Sequence, residues 1–202
     1  MLLYDLPAGM NPRRVRIFLA EKGITLPVQT VDTTAGEHTK PPFLALNPLG
    51  KLPVLQLDDG TVLTESLAIC RYLESLHPAP PLFGSTALEQ AQVEMWTRRM
   101  EWELSRPITD AFMHTGAYFR ERITQHPAYG ESARAQALLS MAWLDAALAG
   151  RDFIAGNRYT IADIVAQCAL VLGKATGCRI PAELAHLSRW FAAVSARPTA
   201  RA

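Results

Sequence analysis

The spacing of apolar residues in this 202-residue chain changes on the two sides of a proline-rich segment at residues 77–85. Before the segment, short β-like runs alternate with helical patterns; after it, helical spacing continues almost without interruption. The segment itself carries three prolines, a glycine and a serine with no apolar periodicity, as linkers do. We therefore predict a first domain over 1–77, a linker over 78–86 and an all-helical domain over 87–202.

Charge and cysteine content exclude several functional classes. The 20 Lys and Arg residues nearly balance the 19 Asp and Glu residues, which argues against nucleic acid or a charged membrane as the main partner. No apolar stretch has the length of a bilayer span, and residues 1–5 lack the basic region of a secretion signal. Cys70, Cys168 and Cys178 form no CxxC pair, so we expect no disulfide framework, no zinc site and a cytoplasmic location.

The first domain has the pattern of an α/β fold. Asn11-Pro12 opens a helix, because Asn is a favoured N-cap and Pro fits the first turn, and Gly23 ends it. Asp59-Gly60 marks a tight antiparallel turn, whereas the first β-α-β unit requires a parallel strand pair. We therefore predict a mixed four-stranded sheet with helices on its faces. Its strands are predicted at 2–6, 26–31, 52–57 and 61–63, its second helix at 65–76, and irregular chain between 31 and 52.

The second domain is predicted to be a helical bundle. Apolar residues recur at helical spacing over about 87–105, from Pro107 onward, and over 132–149, 161–172 and 183–195. Thr160 and Asp163 have the spacing of a capping box, with Tyr159 and Ile164 placed as its hydrophobic staple. The helix that follows this box is apolar on most sides, so we expect it at the centre of the bundle.

Ordinary catalytic motifs are lacking, and three features of the first domain indicate a ligand site instead. The sequence has no GxSxG, HExxH, P-loop or GxGxxG motif, its five histidines form no pair at helical spacing, and we expect no metal. The features are the loop-to-helix junction at 9–16, the run at 47–55 and the helix start at 64–66.

Each of the last two features offers specific contacts to a ligand. A cis bond before Pro53 would turn the preceding backbone outward, so that Leu52 presents its N–H and C=O groups to an extended peptide. At the start of a helix, the N–H and hydroxyl of Ser66 can hold a carboxylate, and Glu65 can hold an ammonium group. Together they suit the α-amino acid end of a ligand.

The chain resembles the cytosolic glutathione transferases over essentially its whole length. The resemblance rests on NPRRVRIFLAEKGI at 11–24, NPLGKLPVL at 47–55, LTESLAICRYL at 63–73 and YTIADI at 159–164. It implies a thioredoxin-like first domain followed by the helical bundle, with glutathione as co-substrate. In the family, the residues matching Leu52 and cis Pro53 hold the cysteinyl part of glutathione, and those matching Glu65 and Ser66 grip the γ-glutamyl end. His38 then matches a residue that binds the glycyl carboxylate, with Lys40 and Lys51 as further candidates.

The family's usual thiol-activating side chain is missing here. Family members lower the thiol pKa of glutathione, about 8.5 when free, with a Tyr, Ser or Cys near the first helix. The Ser or Cys position corresponds to Gly9, which has no side chain and cannot form a mixed disulfide. The missing run of Ser and Cys also weakens an isomerase interpretation. We expect Gly9 to border the glutathione site and Asn11 to be the catalytic residue, donating its amide to the thiolate. The alternatives are that Asn11 is only the N-cap, that Tyr4 activates the thiol, or that the helix dipole and backbone N–H groups do so alone.

The predicted function is transfer of the glutathione thiolate to small hydrophobic electrophiles. We expect the electrophile pocket between the domains, walled by Met10, Trp102, Arg106, Phe112 and Tyr118. The resemblance also implies a homodimer, with contacts around Arg71, Glu74 and 87–98. Two other functions stay open: a glutathione-dependent disulfide or peroxide reductase without a protein cysteine, which Asn11 favours, and a non-catalytic binding module, which Gly9 favours.

Overall fold

Four short strands form one mixed sheet in the computed structural model, which describes residues 1–202. The strands are β1 (Leu2–Asp5), β2 (Val28–Thr30), β3 (Val54–Gln56) and β4 (Val62–Thr64), and their order in the sheet is β2-β1-β3-β4. Strand β1 runs parallel to β2 and antiparallel to β3, which is antiparallel to β4. The predicted mixed four-stranded sheet is therefore confirmed, with strands somewhat shorter than the sequence indicated.

Helices accompany both faces of this sheet. They are α1 (Met10–Lys22), the single turn α2 (Pro41–Leu44) and α3 (Ser66–Leu76). Because side chains alternate along a strand, Leu3 and Leu55 face one side and Val54 faces the other. Val54 packs there with Val31 and with Phe43 of α2. The sequence analysis missed α2 and the 3₁₀ turn Glu37–Thr39 before it, because segments this short carry no helical periodicity.

The second part of the chain is a helical bundle, as predicted. Its helices are α4 (Ala87–Arg99), α5 (Arg106–Thr115), α6 (Pro127–Ala147), α7 (Ile161–Ala175) and α8 (Ala185–Ser195). The prediction of one α-helix to residue 105 was wrong in its last turns, since Met100–Ser105 is π-helical and leads directly into α5. Helix α7 is buried along most of its length, and the Thr160–Asp163 capping box at its start is confirmed.

By its internal contacts the chain divides into two units, residues 1–81 with 201–202 and residues 82–200. Each unit has its own buried apolar core. None of the helices combines the length and the hydropathy needed to cross a membrane.

Candidate active site

The segments that carry the predicted binding residues adjoin the four strands at one edge of the sheet. Val54 pairs with Tyr4 and with Thr64, so the start of β3 lies beside the ends of β1 and β4. The parallel pairing of Asp5 with Thr30 places the end of β2 at the same edge. The segments that follow or precede these ends carry the predicted glutathione-binding residues Gly9, His38, Lys51, Leu52, Pro53, Glu65 and Ser66, together with Asn11. Sequence positions more than fifty residues apart therefore meet along one line of backbone.

The backbone before β3 is shaped for contact with an extended ligand. The Leu52–Pro53 peptide bond is cis. Buried Asn47 fixes the approach to this bond, because its amide Nδ2 donates to the Lys51 carbonyl at 2.8 Å and its Oδ1 accepts from the Leu49 N–H at 3.1 Å. Leu52 itself precedes β3, and neither its N–H nor its C=O forms a backbone hydrogen bond within the sheet or its turns. Both groups can therefore pair with a bound peptide.

Glu65 and Ser66 form a strained start to α3. Glu65 has φ 64° and ψ 118°, and it is the one non-glycine residue of the chain with positive φ. Such a conformation costs about 1–3 kcal/mol and is concentrated at functional sites. The cap position makes no side-chain hydrogen bond, so the side chain of Glu65 does not satisfy the N–H groups of the first turn. These groups are oriented to receive an anion.

A buried arginine lies under this helix start, and the sequence analysis missed it. Arg14 on α1 is only 4% exposed, and its Nη1 donates to the Oγ of Ser66 at 3.5 Å. Ser66 is itself 5% exposed. The guanidinium is always charged, so it adds positive potential where a carboxylate would sit against Ser66. The signal in the sequence was its position four residues before buried Phe18, which puts both on the inner face of α1.

The residues predicted to bind the glycyl carboxylate lie on either side of a close backbone contact. Gly50 has φ 61°, and a β-carbon there would lie 2.9 Å from the His38 carbonyl oxygen, so only glycine allows this approach. The Nδ1 atom of His38 is buried and has no hydrogen-bond partner in the protein. Lys40 and Lys51 are both exposed. A buried imidazole nitrogen without a partner in the protein calls for one from outside it, such as water or a ligand group.

The start of α1 differs from the prediction. Gly9, with extended φ −77° and ψ 131°, is the N-cap, and Asn11 is an exposed residue of the first turn. The N-cap interpretation of Asn11 was therefore wrong. The first N–H groups of a helix have no partner within the helix, so a proline, which has no N–H, fits any of these positions. Pro12 therefore did not fix the residue at which the helix begins. The first intrahelical bond runs from the Arg13 N–H to the Gly9 carbonyl at 3.0 Å, and the amide of Asn11 is not used for capping.

Gly9 has no room for the hydroxyl or thiol that most family members carry. A β-carbon at this position would lie 2.9 Å from both Cγ and Cδ of Pro12 and 3.1 Å from the Leu6 carbonyl oxygen. Contacts this short force a shift of the backbone or of the proline ring. The absence of a side chain at position 9 is thus built into the local packing.

The Tyr4 side chain lies on the face of the sheet that carries Val54 and Phe43. It packs edge-on against Phe43 with ring centroids 6.2 Å apart, and its hydroxyl donates to Gln56 Oε1 at 3.1 Å. Gln56 lies at the far end of β3 from Pro53. The alternative in which Tyr4 activates the thiol therefore loses its structural basis.

The residues predicted for the electrophile pocket, apart from Met10, lie in the helical unit and fall into separate groups. The Phe112 and Tyr118 rings lie nearly parallel with centroids 6.5 Å apart. The Arg106 Nε–H donates to both carboxylate oxygens of Asp110, at 2.8 and 2.9 Å, and Asp110 also accepts from the Tyr129 hydroxyl at 2.7 Å. This hydrogen bond to Asp110 raises the pKa of Tyr129. Trp102 is 62% exposed on the π-helical turn.

The arrangement in the first unit can hold an extended peptide with charged ends. It offers donors for one carboxylate at Ser66, a carboxylate for an ammonium at Glu65, backbone pairing at Leu52 and cationic side chains near the other end. A sulfur held by such a peptide would meet the positive end of α1. No group of three or more His, Cys, Asp or Glu side chains is placed to hold a metal ion.

Comparison with known proteins finds the same two-part organisation. A family model described as "Glutathione S-transferase, N-terminal domain" matches residues 10–76, and one described as "Glutathione S-transferase, C-terminal domain" matches 108–198. Glutathione S-transferase 2 of Saccharomyces cerevisiae is 38% identical over 205 residues, which cover 100% of this chain and 88% of the yeast protein. A crystal structure of a glutathione S-transferase domain-containing protein from Marinobacter aquaeolei VT8 has a TM-score of 0.93 at 38% identity, covering 98% of this chain and 99% of the other.

A relative of another kind is similar over a shorter range. Elongation factor 1-gamma 2 of Oryza sativa subsp. japonica is 36% identical over 154 residues, covering 75% of this chain and 35% of the elongation factor. The similarity to the yeast transferase covers most of both proteins, whereas this chain spans about a third of the elongation factor's length.

Proposed function

The chain belongs to the glutathione S-transferase family and is an enzyme that transfers the glutathione thiolate to an electrophile; we propose that it binds glutathione along the strand-end edge described above and acts on small hydrophobic electrophiles. The observation that carries the proposal is the meeting of strained Glu65, Ser66 and cis Pro53 at the strand-end edge. A purely structural sheet edge has no need for a residue held at positive φ.

Each part of glutathione has a partner at this edge. The γ-glutamyl carboxylate accepts from the N–H and hydroxyl of Ser66, with the charge of Arg14 beneath it, and Glu65 binds the ammonium group. Leu52 pairs with the cysteinyl backbone. His38 and Lys51 bind the glycyl carboxylate, and Lys40 is a further candidate. A tripeptide held at three points has its sulfur fixed before reaction, which supplies the proximity part of catalysis.

Activation of the sulfur depends on the start of α1. The thiol proton leaves to solvent, and the thiolate is stabilised by the helix dipole, by backbone N–H groups of the first turn beyond Gly9 and by the side-chain amide of Asn11. The sulfur lone pair then forms a C–S bond with the electrophile. In an aryl halide the displaced pair departs with the halide, and in an α,β-unsaturated carbonyl compound the π pair moves toward the carbonyl oxygen and the resulting enolate takes a proton from solvent. This route uses no protein nucleophile, in agreement with the packing at Gly9.

Glutathione binding is tested with the Ser66→Ala variant. We expect the wild type to be retained on glutathione-agarose and Ser66→Ala to bind free glutathione about tenfold more weakly, since a hydrogen bond to a charged group contributes about 1.5 kcal/mol. Ser75→Ala is the matched control, because Ser75 is exposed and bonds only within α3. Equal affinities for the two variants would contradict the site.

The reaction is tested with a panel of substrates offered with glutathione. Aryl halides and α,β-unsaturated carbonyl compounds report thiolate addition, and disulfides and organic hydroperoxides report the reductase alternative. Bound glutathione without turnover of any of them would favour the non-catalytic module, the alternative that Gly9 and the similarity to an elongation factor support.

In the helical unit we propose that the Phe112 and Tyr118 rings form an apolar wall for the electrophile, with Trp102 and Arg106 contributing. Stacked aromatic surface suits flat hydrophobic substrates. We expect Phe112→Ala to raise the KM for an aryl electrophile without changing glutathione affinity. A KM that stays at the wild-type value would remove Phe112 from the wall.

We also propose that the protein works as a cytoplasmic homodimer with a role in detoxification. Its three cysteines are buried thiols, which suits a reducing compartment. Large apolar side chains are exposed along α4, the π-helical turn and α6, including Met95, Leu139 and Trp143. An exposed apolar patch of this kind typically marks a protein interface. Sedimentation of the wild type at monomer mass would contradict the dimer.

A further inference from the structure

The segment that joins β1 to α1 is held by one arginine. Arg16 lies in the second turn of α1, where its Nη2 donates to the Pro7 carbonyl at 2.8 Å and its Nη1 donates to the Leu6 carbonyl at 3.3 Å. The Leu6 carbonyl also accepts from the Gly9 N–H at 2.8 Å. The short path over residues 6–9 is therefore fixed to the helix that follows it.

A buried acid fixes the arginine in turn. Asp5, the last residue of β1, is 3% exposed, and its two carboxylate oxygens accept from Nη1 of Arg16 at 2.7 and 2.9 Å. A carboxylate buried this far needs a cation with several donors, and a guanidinium supplies them in one plane. One side chain thus joins the end of β1, the connecting segment and α1.

The same contacts orient the peptide groups of the segment. A trans peptide group directs its C=O and its N–H in opposite directions, so the bond from Arg16 to the Pro7 carbonyl turns the Ala8 N–H away from the guanidinium. That N–H has no hydrogen-bond acceptor in the protein. An unused donor therefore lies directly before the uncapped first turn of α1.

The hold on this segment matters because the thiolate depends on backbone groups. In the function proposed above, position 9 has no side chain to contact the sulfur, and the donors are N–H groups of the first turn with the amide of Asn11. A side-chain donor can adjust by rotation, whereas a backbone donor lies only where the path of the chain puts it. Donors that stabilise a charge are effective when they are fixed in advance, to within about 0.5 Å.

We propose that Arg16, held by Asp5, is a positioning residue for the glutathione thiolate. It sets the path of residues 6–9, and with it the place of the N–H groups that follow Gly9. The inference rests on the proposed function, and it deepens that function by assigning part of the activation of the sulfur to an ion pair that acts through the backbone.

The test is Arg16→Lys, which keeps a positive charge beside Asp5 but replaces the planar fork by a single ammonium. We expect the thiol pKa of bound glutathione to rise by about half a unit or more, so that the thiolate fraction below that pKa falls about threefold. Ultraviolet absorbance of the thiolate measures this shift. The kcat for an aryl halide should fall in the same proportion at low pH and return to the wild-type value at high pH, where the thiol is ionised.

Binding is measured separately with S-methylglutathione, which has no thiol. Its Kd should change by less than about twofold in Arg16→Lys, because Glu65, Ser66 and Leu52 keep their places. A loss of binding equal to the loss of kcat would mean that Arg16 supports the whole site rather than the sulfur, and would overturn the positioning role.

Arg189→Lys is the matched control. Arg189 also donates to one carboxylate, that of Asp152, and to two backbone carbonyls, those of Leu148 and Arg151, but it does so in the helical unit. Its replacement removes contacts of the same kinds and should leave the thiol pKa and the pH profile of kcat unchanged. A shift of equal size in both variants would overturn the proposal.

A second variant covers a failure of Arg16→Lys to fold. Asp5→Asn/Arg16→Gln removes both charges together, so no buried ion is left unpaired, and we expect the thiol pKa to rise in the same way. An unchanged thiol pKa in the variant that folds would overturn the positioning role and leave the proposed function intact, provided that the wild type binds S-methylglutathione. Absence of that binding in the wild type would overturn both.

Discussion

Helices α1 and α7 begin in opposite ways. At α7, the Asp163 carboxylate accepts from the N–H groups of Ile154 and Thr160, from the Thr160 hydroxyl and from the indole N–H of Trp190, all at 2.9–3.0 Å. At α1, the cap is Gly9 and no side chain accepts from the first turn. The start of α7 is buried and capped by its own side chains, whereas the start of α1 has exposed residues such as Asn11.

The difference shows how one physical feature serves two purposes. The unpaired N–H groups of a helix start are costly inside a core. At α7 the Thr160 side chain accepts from the backbone N–H of Asp163 in the capping box, and the Leu82 carbonyl accepts from the Ile161 N–H. In the sheet unit we propose that the same groups stabilise a thiolate at α1 and a carboxylate at α3. Stability is therefore expected to depend on the capped helix start, and ligand binding on the open ones.

The strongest way to break this comparison is to remove the acid at α7. We expect Asp163→Ala to lower the free energy of unfolding by about 3–5 kcal/mol, because buried donors lose their acceptor. Urea denaturation measures it. Asp152→Ala is the control, since its ion pair with Arg189 is exposed and contributes little. A loss under about 1 kcal/mol would mean that α7 does not depend on its cap.

The charge of the same acid gives a second prediction. Burial raises the pKa of Asp163 from 3.8 to about 6 against the opposing effect of its hydrogen bonds. The folded state then holds more protons than the unfolded state between about pH 4 and 6, so this group's contribution is greatest below pH 4 and is lost as the pH rises through 6. The change is on the order of 2–3 kcal/mol.

Unfolding curves for the wild type and Asp163→Asn across this pH range measure the effect. The difference in free energy between them should vary with pH between about 4 and 6 and level off above that range. A constant difference would mean that the carboxyl does not change its charge there. Other carboxyls, such as Asp32 with its pKa lowered by the Thr34 hydroxyl, cancel in this difference.

At the start of α3, a substitution that relieves the backbone strain of Glu65 separates stability from ligand binding. We expect Glu65→Gly to raise the free energy of unfolding by up to about 1 kcal/mol, because glycine adopts positive φ freely, while glutathione affinity falls. Glu65→Gln keeps the strained backbone and removes only the charge, so it should lose affinity without gaining stability. Equal stability of the two variants would show that the backbone of Glu65 stores no strain.

The smallest expected effect is at Asn11. If its amide donates to the thiolate, Asn11→Ala should raise the thiol pKa of bound glutathione by about half a unit to one unit. Ultraviolet absorbance of the thiolate measures the titration, and Asn157→Ala, another exposed asparagine, is the control. An unshifted curve would assign all activation to the backbone of α1.

How far the sequence predicts the molecule depends on whether a feature is local. The capping box of α7 and the Asp59-Gly60 turn rest on residues a few positions apart, and both predictions were confirmed. The directions of the β1–β2 and β3–β4 pairs followed from their connections, a β-α-β unit and a two-residue turn. The antiparallel pairing of β1 with β3 was not predicted. The π-helical turn at 100–105 was missed, because its apolar spacing differs little from that of an α-helix over so few residues.

The site was harder to predict where it depends on packing across the sequence. Arg14 and Ser66 are 52 positions apart, and only the fold brings the guanidinium to the hydroxyl. Asn11 was assigned to the N-cap because its residue type favours that position, but Gly9, two residues earlier, is the N-cap. Residue preferences indicate which groups can cap a helix, and they do not decide which neighbour does so.

The contact of Gly9 with Pro12 constrains how this enzyme can be altered. Installing a serine or cysteine at position 9 brings its β-carbon to 2.9 Å from the proline ring, so the replacement alone distorts the loop that must hold it. Changing Pro12 first opens the space, which makes the order of the two substitutions matter. A route to a cysteine at position 9 therefore passes through a variant changed only at Pro12, which has no thiol there.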